Sequence, residues 1–436
     1  MPDLQKLAPR PPLGWNSYDC FNCNVTEDQV RQTADIMALY LKPLGYQYVV
    51  VDYCWYYPYV CNQQCPKQRE GFLPALCIDE FGRYLPAVDR FPSAADGSGF
   101  TALAAYVHSK GLKLGIHVMR GIPKEAAHRR LPIQGAAATA DQIAQPETSC
   151  KWLNHNFGVN MAKPGAQEYY DSVFRLYAGW GVDYVKVDDM VHRDPYLKEE
   201  IEAVHDAVSR CGKPMVLSLS AGGSKLDEET AHLQANSHLW RISQDIWDDW
   251  NMLKQQFAIC EQYQGVGRPH GWPDADMLTI GKLSLNASHG PDRYSLFSDD
   301  EAMTMLTLWW IFRSPLMIGG DLRQMRTKEL DWFCNAEALA ANQYGEDPRQ
   351  VFRTEHDVAW FSDAPEAGAK FVALFNVSDE KRTVAVKLED LEIKGTASVR
   401  DLWQKRDLAD CSTQFSAEIA PHGAGLYKLT PTAFQS

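Results

Sequence analysis

Residues Asp183–Asp188 read DYVKVD, a short β-branched run that ends in a carboxylate. Similar runs occur at Tyr46–Asp52 (YQYVVVD), Leu112–His117 (LKLGIH) and Met215–Ser220 (MVLSLS), and they are separated by long amphipathic stretches such as Thr26–Leu41. This alternation of strand and helix is typical of a parallel sheet whose strands are joined by crossover helices.

Four further runs bring the number of strand–helix units to about eight, the number in a closed (β/α)8 barrel. They are LGWN at Leu13–Asn16, Leu239–Arg241, Trp272–Met277 and Pro315–Ile318. A doubly wound sheet is the alternative, but no G-x-G-x-x-G motif opens the first helix. We therefore predict an α/β fold with a (β/α)8 barrel over residues 1–343.

The pattern changes after residue 343. Short alternating runs divided by turn residues follow one another without a convincing helix: VAWFSD, AKFVALFNVS, KRTVAVKLED, ASVRDLW and GAGLYKLTP. They predict an antiparallel β-sandwich over residues 344–436. A Cys- and Pro-rich insertion at 56–92 is too long for an ordinary βα loop, so we expect it over the mouth of the barrel.

The composition excludes several classes of partner. The 436 residues include 56 acidic and 43 basic side chains, a formal net charge of −13, and such a surface repels nucleic acid and anionic membranes. No run approaches the ~20 apolar residues of a membrane helix, and the opening residues contain no apolar signal region. We therefore expect a cytoplasmic protein, and the sequence leaves a homo-oligomeric state open.

Barrel enzymes carry their reactive groups at the carboxyl ends of the strands. In this chain four of those ends carry aspartates: Asp52, Asp188 with Asp189, Asp245, and Asp274 with Asp276. A single aspartate after a strand is as often a helix N-cap as a functional group. Several that face one mouth repel one another at a cost in stability, so the set indicates a function.

Lys186 and Asp188 are two residues apart on one strand, so both side chains are predicted to face the barrel axis. An ammonium beside a carboxylate favours the ionised form that a nucleophilic aspartate requires, although a structural ion pair has the same pattern. A second carboxylic acid, kept protonated in a drier setting, would complete a glycosidase pair. Asp245 is our candidate, and Arg241 on the same segment could orient it or hold a sugar hydroxyl.

Motifs for other chemistries are absent. The sequence has no H-E-x-x-H or H-x-H pattern at a strand end, no G-x-x-x-x-G-K-[ST] loop and no G-x-S-x-G elbow. Eleven cysteines leave at least one without an intrachain partner. The group Cys54, Cys61, Cys65 and Cys77 lacks the spacing of zinc ligands, so thiols or local disulfides are favoured over a metal site.

Seven motifs follow one another along the chain: PPLGWNSYDCF, GYQYVVVDYCW, HSKGLKLGIH, WGVDYVKVDD, LWRISQDIWDDW, GWPDADMLTIG and RSPLMIGGDLR. In this order they resemble glycoside hydrolase family 27, the family of the α-galactosidases and α-N-acetylgalactosaminidases. The resemblance spans the predicted barrel, and the C-terminal part is similar in kind. It implies a (β/α)8 barrel, a C-terminal antiparallel β-domain and an exo-acting glycosidase.

The resemblance also implies the roles of individual residues. Asp188 is the nucleophile of a retaining double displacement and Asp245 is the general acid/base, with carboxyl groups about 5–5.5 Å apart. The ligands of the sugar hydroxyls correspond to Asp52, Lys186, Arg241 and Asp276, and the platform at the base of the pocket corresponds to Trp15. The family needs neither a metal nor an organic cofactor, and its partner is a small carbohydrate or a terminal glycan.

Three of the positions expected to bind the substrate depart from the galactosidase pattern of the family. Tyr53 replaces the second of two adjacent acids that grip the O4 and O6 side of galactose, His117 replaces a tyrosine, and Ser220 replaces a glutamate. An α-galactoside is the default substrate. Ser220 with Gly223 favours an α-N-acetylgalactosaminide, whereas Tyr53 favours a β-L-arabinopyranoside, a sugar that has no C6 to grip.

Two interpretations from other classes stay open at this point. A catalytically inactive barrel that binds carbohydrate would not need an acid/base pair, and a metal-dependent barrel hydrolase would need ligands that the motifs do not supply.

The resemblance further pairs Cys23 with Cys54 as a family disulfide near the active site.

Overall fold

The structure is a computed structural model that describes residues 7–57, 76–153, 155–191, 195–223, 228–267, 271–285 and 290–432. None of the helices in these ranges combines the length and the apolar composition of a transmembrane segment.

Eight parallel strands form the sheet of the N-terminal part. They are β1 Leu13–Asn16, β2 Tyr48–Val51, β3 Lys113–Met119, β4 Tyr184–Asp188, β5 Val216–Leu219, β6 Leu239–Arg241, β7 Trp272–Asp274 and β8 Leu316–Ile318. Each strand from β1 to β6 pairs with the next along the chain, and β1 also pairs with β8. A parallel bridge between Leu278 and Ile318 joins the segment after β7 to β8, so the sheet curves round on itself. The predicted barrel is confirmed.

A helix follows every strand of the barrel. The main helices are α1 Glu27–Ile36, α2 Thr101–Ser109, α3 Ala166–Gly179, α4 Lys198–Ser209, α5 Glu228–Asn236, α6 Trp250–Gln262, α7 Asp299–Phe312 and α8 Ala336–Tyr344. Thr26 and Gln29 form a capping box at the start of α1, and Ser298 and Glu301 form another at α7. The Asp249 side chain accepts a backbone N–H at the start of α6. These polar residues set where the helices begin.

Short elements fill the connections. Short α-helices lie at Tyr18–Phe21, Lys124–His128, Ala140–Ile143 and Thr327–Phe333. A π-helical turn lies at Met37–Leu41, and 3₁₀-helical turns lie at Asn22–Asn24, Lys42–Leu44, Pro92–Ala94, Pro146–Thr148, Leu322–Gln324 and Glu389–Leu391. Between β3 and α3, a small sheet contains Ile122–Pro123, Ala144–Gln145 and Asn156–Val159; between β7 and α7, Lys282–Leu283 pairs with Arg293–Tyr294. Of the predicted 56–92 insertion, residues 58–75 lie outside the described ranges.

Antiparallel strands form the C-terminal part. They are β9 Glu346–Arg353, β10 Asp357–Asp363, β11 Lys370–Asn376, β12 Arg382–Lys387, β13 Ala397–Asp401, β14 Arg406–Cys411, β15 Gln414–Ile419 and β16 Ala424–Pro431. One sheet has the order β9–β10–β11–β16–β13–β14, and β12 pairs with β15. Val372 of β11 and Val386 of β12 belong to one buried core between the two sheets. The predicted β-sandwich is confirmed, and α8 ends beside the predicted domain boundary.

Candidate active site

A cavity of about 370 Å³ opens at the carboxyl ends of the barrel strands. Asp52 follows β2, Asp188 ends β4, Asp245 follows β6 and Asp276 follows β7, and all four line the cavity. Among the described residues, the cavity is lined by Tyr18, Asp19, Asp52, Tyr53, Trp152, Leu153, Lys186, Asp188, Ser220, Ala221, Gln244, Asp245, Ile246, Trp247, Asp276 and Met277. The four predicted strand ends therefore meet at one site.

Asp188 is held by hydrogen bonds on both carboxylate oxygens. His117 Nε2 lies 3.1 Å from Oδ2, the Ser220 hydroxyl donates to Oδ1 at 3.1 Å, and the Asp189 N–H donates to Oδ1 at 2.8 Å. Burial by itself would raise the pKa of Asp188. The hydrogen bond and charge of His117, with the charge of Lys186, outweigh burial and hold that pKa well below its usual range. Asp188 is therefore an ionised carboxylate, as a nucleophile must be.

Lys186 binds Asp52 rather than Asp188 directly. Its ammonium donates to Asp52 Oδ2 at 3.0 Å, and the Asn16 amide donates to the same oxygen at 2.6 Å. Burial opposes the charge on Asp52, but Lys186 and His117 lower its pKa below the usual value. The expected pairing of Lys186 with Asp188 is thus an interaction of charges without a direct hydrogen bond, because the ammonium donates to Asp52 on another strand. Asp52 and Lys186 together offer fixed hydrogen-bonding groups to a ligand.

Asp245 lies on the rim of the cavity. Its side chain is 64% exposed, and Oδ1 lies 3.3 Å from the Arg241 guanidinium, which also contacts Asp276 at 2.6 Å. The drier setting predicted for Asp245 is wrong, because the loop after β6 carries it out to the solvent. Asp276, by contrast, is buried: burial raises its pKa to about 7, although Arg241 opposes this.

Trp15, predicted as the platform of the pocket, does not line it. Its indole is fully buried, donates to the Gly320 carbonyl at 3.0 Å and packs edge-on against Phe21. Trp15 lies inside β1, where its neighbours on both sides bury it. Tyr18, which follows the end of that strand, lines the cavity instead.

His117 and Arg241, which were also predicted as sugar ligands, lie behind the residues that line the cavity. Each is buried and contacts a lining carboxylate, His117 through Asp188 and Arg241 through Asp245 and Asp276. The predicted ligand residues Asp52, Tyr53, Lys186, Ser220 and Asp276 do line the cavity. The structure therefore divides the predicted set into groups that face a ligand and groups that position them.

Tyr53 belongs to a cluster of aromatic side chains beside Asp52. Its ring is 4% exposed, packs edge-on against His117 at 5.6 Å and against Trp152 at 6.1 Å, and stacks on His155 at 6.4 Å. Burial lowers the pKa of His155 to about 3, so this ring is neutral at pH 7. The cluster fixes the Tyr53 ring in the cavity wall.

Asp19 is a lining residue that sequence reasoning missed. It is 1% exposed, and its Oδ2 has no hydrogen-bond partner. Burial, with the charge of Asp276, raises its pKa well above the usual range. Asp19 follows the end of β1, so the strand-end rule that found the other acids could have found it. Trp152, Gln244 and Trp247 were missed because they lie in connections between strands and helices, where the sequence has no periodicity that predicts which side chains face the cavity.

Cys23 and Cys54, which the resemblance pairs as a disulfide, are both buried beside Arg90. The Arg90 guanidinium donates to the carbonyl groups of both residues, so it holds the two segments together. Cys61 and Cys65 lie outside the described residues. Among those that are described, no group of three or more His, Cys, Asp or Glu side chains has the arrangement of a metal site.

Family models match most of the chain. One described as "Alpha galactosidase A" matches residues 10–129 and 153–344. Another described as "Alpha galactosidase C-terminal beta sandwich domain" matches residues 355–429. The two matches fall on the barrel and on the β-sandwich, and residues 130–152 lie between the matched ranges of the barrel.

Individual proteins resemble the chain along nearly its whole length. A β-L-arabinopyranosidase of glycoside hydrolase family 27 from Geobacillus stearothermophilus is 44% identical, with a TM-score of 0.95 and 99% of each chain covered. A Bacillus halodurans protein, provisionally named an α-N-acetylgalactosaminidase, is 41% identical, with a TM-score of 0.86 and 97% of each chain covered. The α-galactosidase of Cyamopsis tetragonoloba is 29% identical over 98% of this chain and 87% of its own.

Proposed function

The chain belongs to glycoside hydrolase family 27, and within this family of glycoside hydrolases we propose that it releases terminal β-L-arabinopyranosyl residues with retention of configuration. The matches to family models and relatives confirm the family and the glycoside hydrolase class that the seven sequence motifs predict. The choice of sugar depends on one observation, the aromatic ring that stands beside Asp52.

Tyr53 is the observation that carries the proposal. It puts a buried ring into the cavity wall at the position where the galactosidases carry a second acid. A phenol does not accept hydrogen bonds as a carboxylate does, and its ring takes up space beside the sugar. β-L-Arabinopyranose has the ring hydroxyl arrangement of α-galactose but lacks the C6 hydroxymethyl group. This sugar therefore suits a site in which the Tyr53 ring stands where the galactosidases have a carboxylate that binds O6.

The relatives support the same choice. The chain is 44% identical to the Geobacillus arabinopyranosidase and 29% identical to the Cyamopsis α-galactosidase, and both comparisons cover nearly the whole chain. The same Geobacillus enzyme, as a variant with one aspartate replaced by alanine, has been solved in complex with arabinose.

Two carboxylates perform the reaction in two steps. A carboxylate oxygen of Asp188 bonds to the anomeric carbon while the bond from that carbon to the leaving oxygen breaks, and Asp245 donates a proton to the leaving oxygen. In the second step Asp245 takes a proton from water, the water oxygen bonds to the anomeric carbon, and the Asp188 carboxylate departs. Both groups then return to their starting states.

The surroundings of the two carboxylates suit these roles. Hydrogen bonds from His117, Ser220 and a backbone N–H keep Asp188 ionised and oriented. Asp245 stands at the rim, where the leaving group departs and water arrives. A barrel that only binds carbohydrate would need neither an ionised, oriented carboxylate nor a second, exposed carboxylate for proton transfer.

An α-galactoside is the second candidate substrate. It is favoured by Asp52, which Lys186 and Asn16 hold in place to accept a hydroxyl hydrogen bond, and by the galactosidases among the relatives. An N-acetylgalactosaminide is less well supported, because the Ser220 hydroxyl that would face its acetamido group donates to Asp188.

The test compares kcat/KM for the nitrophenyl β-L-arabinopyranoside, α-D-galactopyranoside and α-N-acetylgalactosaminide. The arabinopyranoside should be preferred over the galactoside by about tenfold or more, since one extra carbon group in a fitted pocket costs ~1–3 kcal/mol. Tyr53→Asp should lower this ratio by about tenfold, and Tyr56→Phe, a change at a buried neighbour that does not line the cavity, should leave it unchanged. A galactoside preference in the parent enzyme would contradict the proposal.

We also propose a carbohydrate as partner and a reducing compartment such as the cytoplasm as location. Cys20, Cys150 and Cys260 are buried thiols, which suits such a compartment. Thiol titration of the purified, denatured protein tests the location, because an oxidising compartment would leave disulfides that reduce the count.

A further inference from the structure

An exposed tryptophan at the mouth of the cavity has no role in the reaction as described. Trp152 lines the cavity and is 43% exposed, although its neighbours Cys150 and Leu153 are buried. Contact of a large apolar ring with water costs free energy that burial would recover. An exposed apolar surface at a binding cavity is typical of a place that a ligand covers.

The segment that carries Trp152 is anchored beside the nucleophile. The Arg120 guanidinium donates to the Thr148 carbonyl at 2.7 Å and to the Asp189 carboxylate at 2.7 Å, and Asp189 directly follows the nucleophile in the chain. The segment belongs to residues 130–152, which the barrel family model does not match. This unmatched segment therefore brings an aromatic ring to the cavity, and Arg120 ties it to the residue that follows Asp188.

The cavity has room for more than the released sugar. Its volume of about 370 Å³ lies in the range that accommodates drug-sized ligands, whereas a pentopyranose has only about ten non-hydrogen atoms. Asp245, which protonates the leaving oxygen, is exposed on the rim, and Trp152 is exposed as well. The proton donor and the ring therefore both lie where the cavity meets the solvent, on the path of the leaving group.

The charges in the cavity favour a neutral leaving group. In the part of the lining that the structure describes, one lysine, Lys186, accompanies five carboxyl groups: Asp19, Asp52, Asp188, Asp245 and Asp276. The ionised members of this set repel a phosphate, a sulfate or a uronic acid. The flat C–H face of a neutral sugar ring packs on an indole and keeps its hydroxyl groups in water, which matches a half-exposed Trp152.

We propose that Trp152 is the platform of a leaving-group subsite, which binds a neutral sugar ring joined by the scissile bond to the released sugar. The substrate is then an oligosaccharide or a glycan end rather than a simple alkyl glycoside. This inference rests on the proposed function to the extent that Asp188 and Asp245 act on a glycosidic bond, and it is independent of the choice between pentose and galactose.

Binding to the inactive Asp188→Asn variant separates this subsite from the chemistry. The ligands form two pairs: L-arabinose with β-L-arabinopyranosyl-(1→6)-D-glucose, and D-galactose with α-D-galactopyranosyl-(1→6)-D-glucose. Calorimetry gives each Kd. Adding Trp152→Ala should weaken disaccharide binding about tenfold and change monosaccharide binding by less than about twofold. Trp152→Phe should restore most of the affinity, and Trp332→Ala, at a partly buried indole that does not line the cavity, should change neither Kd.

The outcomes distinguish this inference from the choice of sugar. Equal weakening of monosaccharide and disaccharide by Trp152→Ala would overturn the subsite, since Trp152 would then act on the released sugar, directly or through the Tyr53 ring that it packs against. Unchanged disaccharide binding, or disaccharides that bind no more tightly than monosaccharides, would also overturn it. A Trp152 effect seen only with the galactosyl pair would support the subsite and contradict the arabinopyranoside as substrate.

Discussion

The two carboxylates that we propose for the reaction lie in contrasting regions of one cavity. On the nucleophile side, at the ends of β4 and β5, Asp188 is surrounded by His117, Ser220 and a backbone N–H, each within hydrogen-bonding distance. On the proton-donor side, after β6, Asp245 is 64% exposed and has the Arg241 guanidinium 3.3 Å away. One carboxylate is fixed by the barrel, whereas the other is carried on a loop at its rim.

The difference follows from what each group must do. A nucleophile keeps one protonation state until it reacts, and a buried network of donors holds that state without reorganisation. A group that gives a proton to a leaving oxygen and later takes one from water must reach both, so exposure suits it. The contrast predicts that substitutions on the two sides differ in how their effect depends on the leaving group and on pH.

The largest effect is expected on the nucleophile side. Asp188→Asn removes the group that bonds to the anomeric carbon, so kcat/KM with nitrophenyl glycosides should fall by about 10⁴-fold or more. Asp274→Asn makes the same change at a buried strand end outside the cavity lining, and it should stay within about tenfold of the parent enzyme. If Asp188→Asn lost no more activity than Asp274→Asn, the assignment of the nucleophile would be wrong.

The next effect is expected on the donor side and depends on the leaving group. Asp245→Asn removes the proton donor, which should cost about 10²–10⁴-fold in kcat/KM with a disaccharide, whose leaving oxygen needs a proton. With a nitrophenyl glycoside the loss of kcat/KM should be smaller, because nitrophenolate leaves without being protonated. Steady-state kinetics on both substrates measure the difference. Equal losses would show that Asp245 does not protonate the leaving oxygen.

The smallest effect concerns the network around the nucleophile. His117 lowers the pKa of Asp188, so His117→Asn should raise that pKa and leave less of Asp188 ionised at acidic pH. The acidic limb of the pH profile of kcat/KM should move to higher pH, with about a tenfold loss of activity in the affected range.

His155→Asn is the matched control for this change. His155 is equally buried and packs on Tyr53, but Asp188 lies outside its hydrogen bonds. It should leave the acidic limb in place. A shift of the limb to lower pH in His117→Asn, or the same shift in His155→Asn, would show that the network does not hold the charge of Asp188.

Local pattern was enough to predict most of the fold. The β-branched runs that end at Asp52 and Asp188 correspond to strands of the barrel, because a parallel strand buried on both faces requires such residues whatever surrounds it. Alternating runs after residue 343 likewise predicted the β-sandwich. The acids at four strand ends could be placed at one mouth, since parallel strands of a barrel point the same way.

Tertiary structure decided which of the predicted residues face a ligand. Sequence spacing placed Lys186 beside Asp188, but the ammonium binds Asp52 from another strand. Trp15 and Tyr18 both belong to one motif, and only the position at which β1 ends shows that Tyr18 reaches the cavity. Trp152 arrives through an added segment, and Asp245 is exposed because of the path of its loop. Strand identity depends on neighbours along the chain, whereas exposure and pairing depend on groups that folding brings together from distant positions.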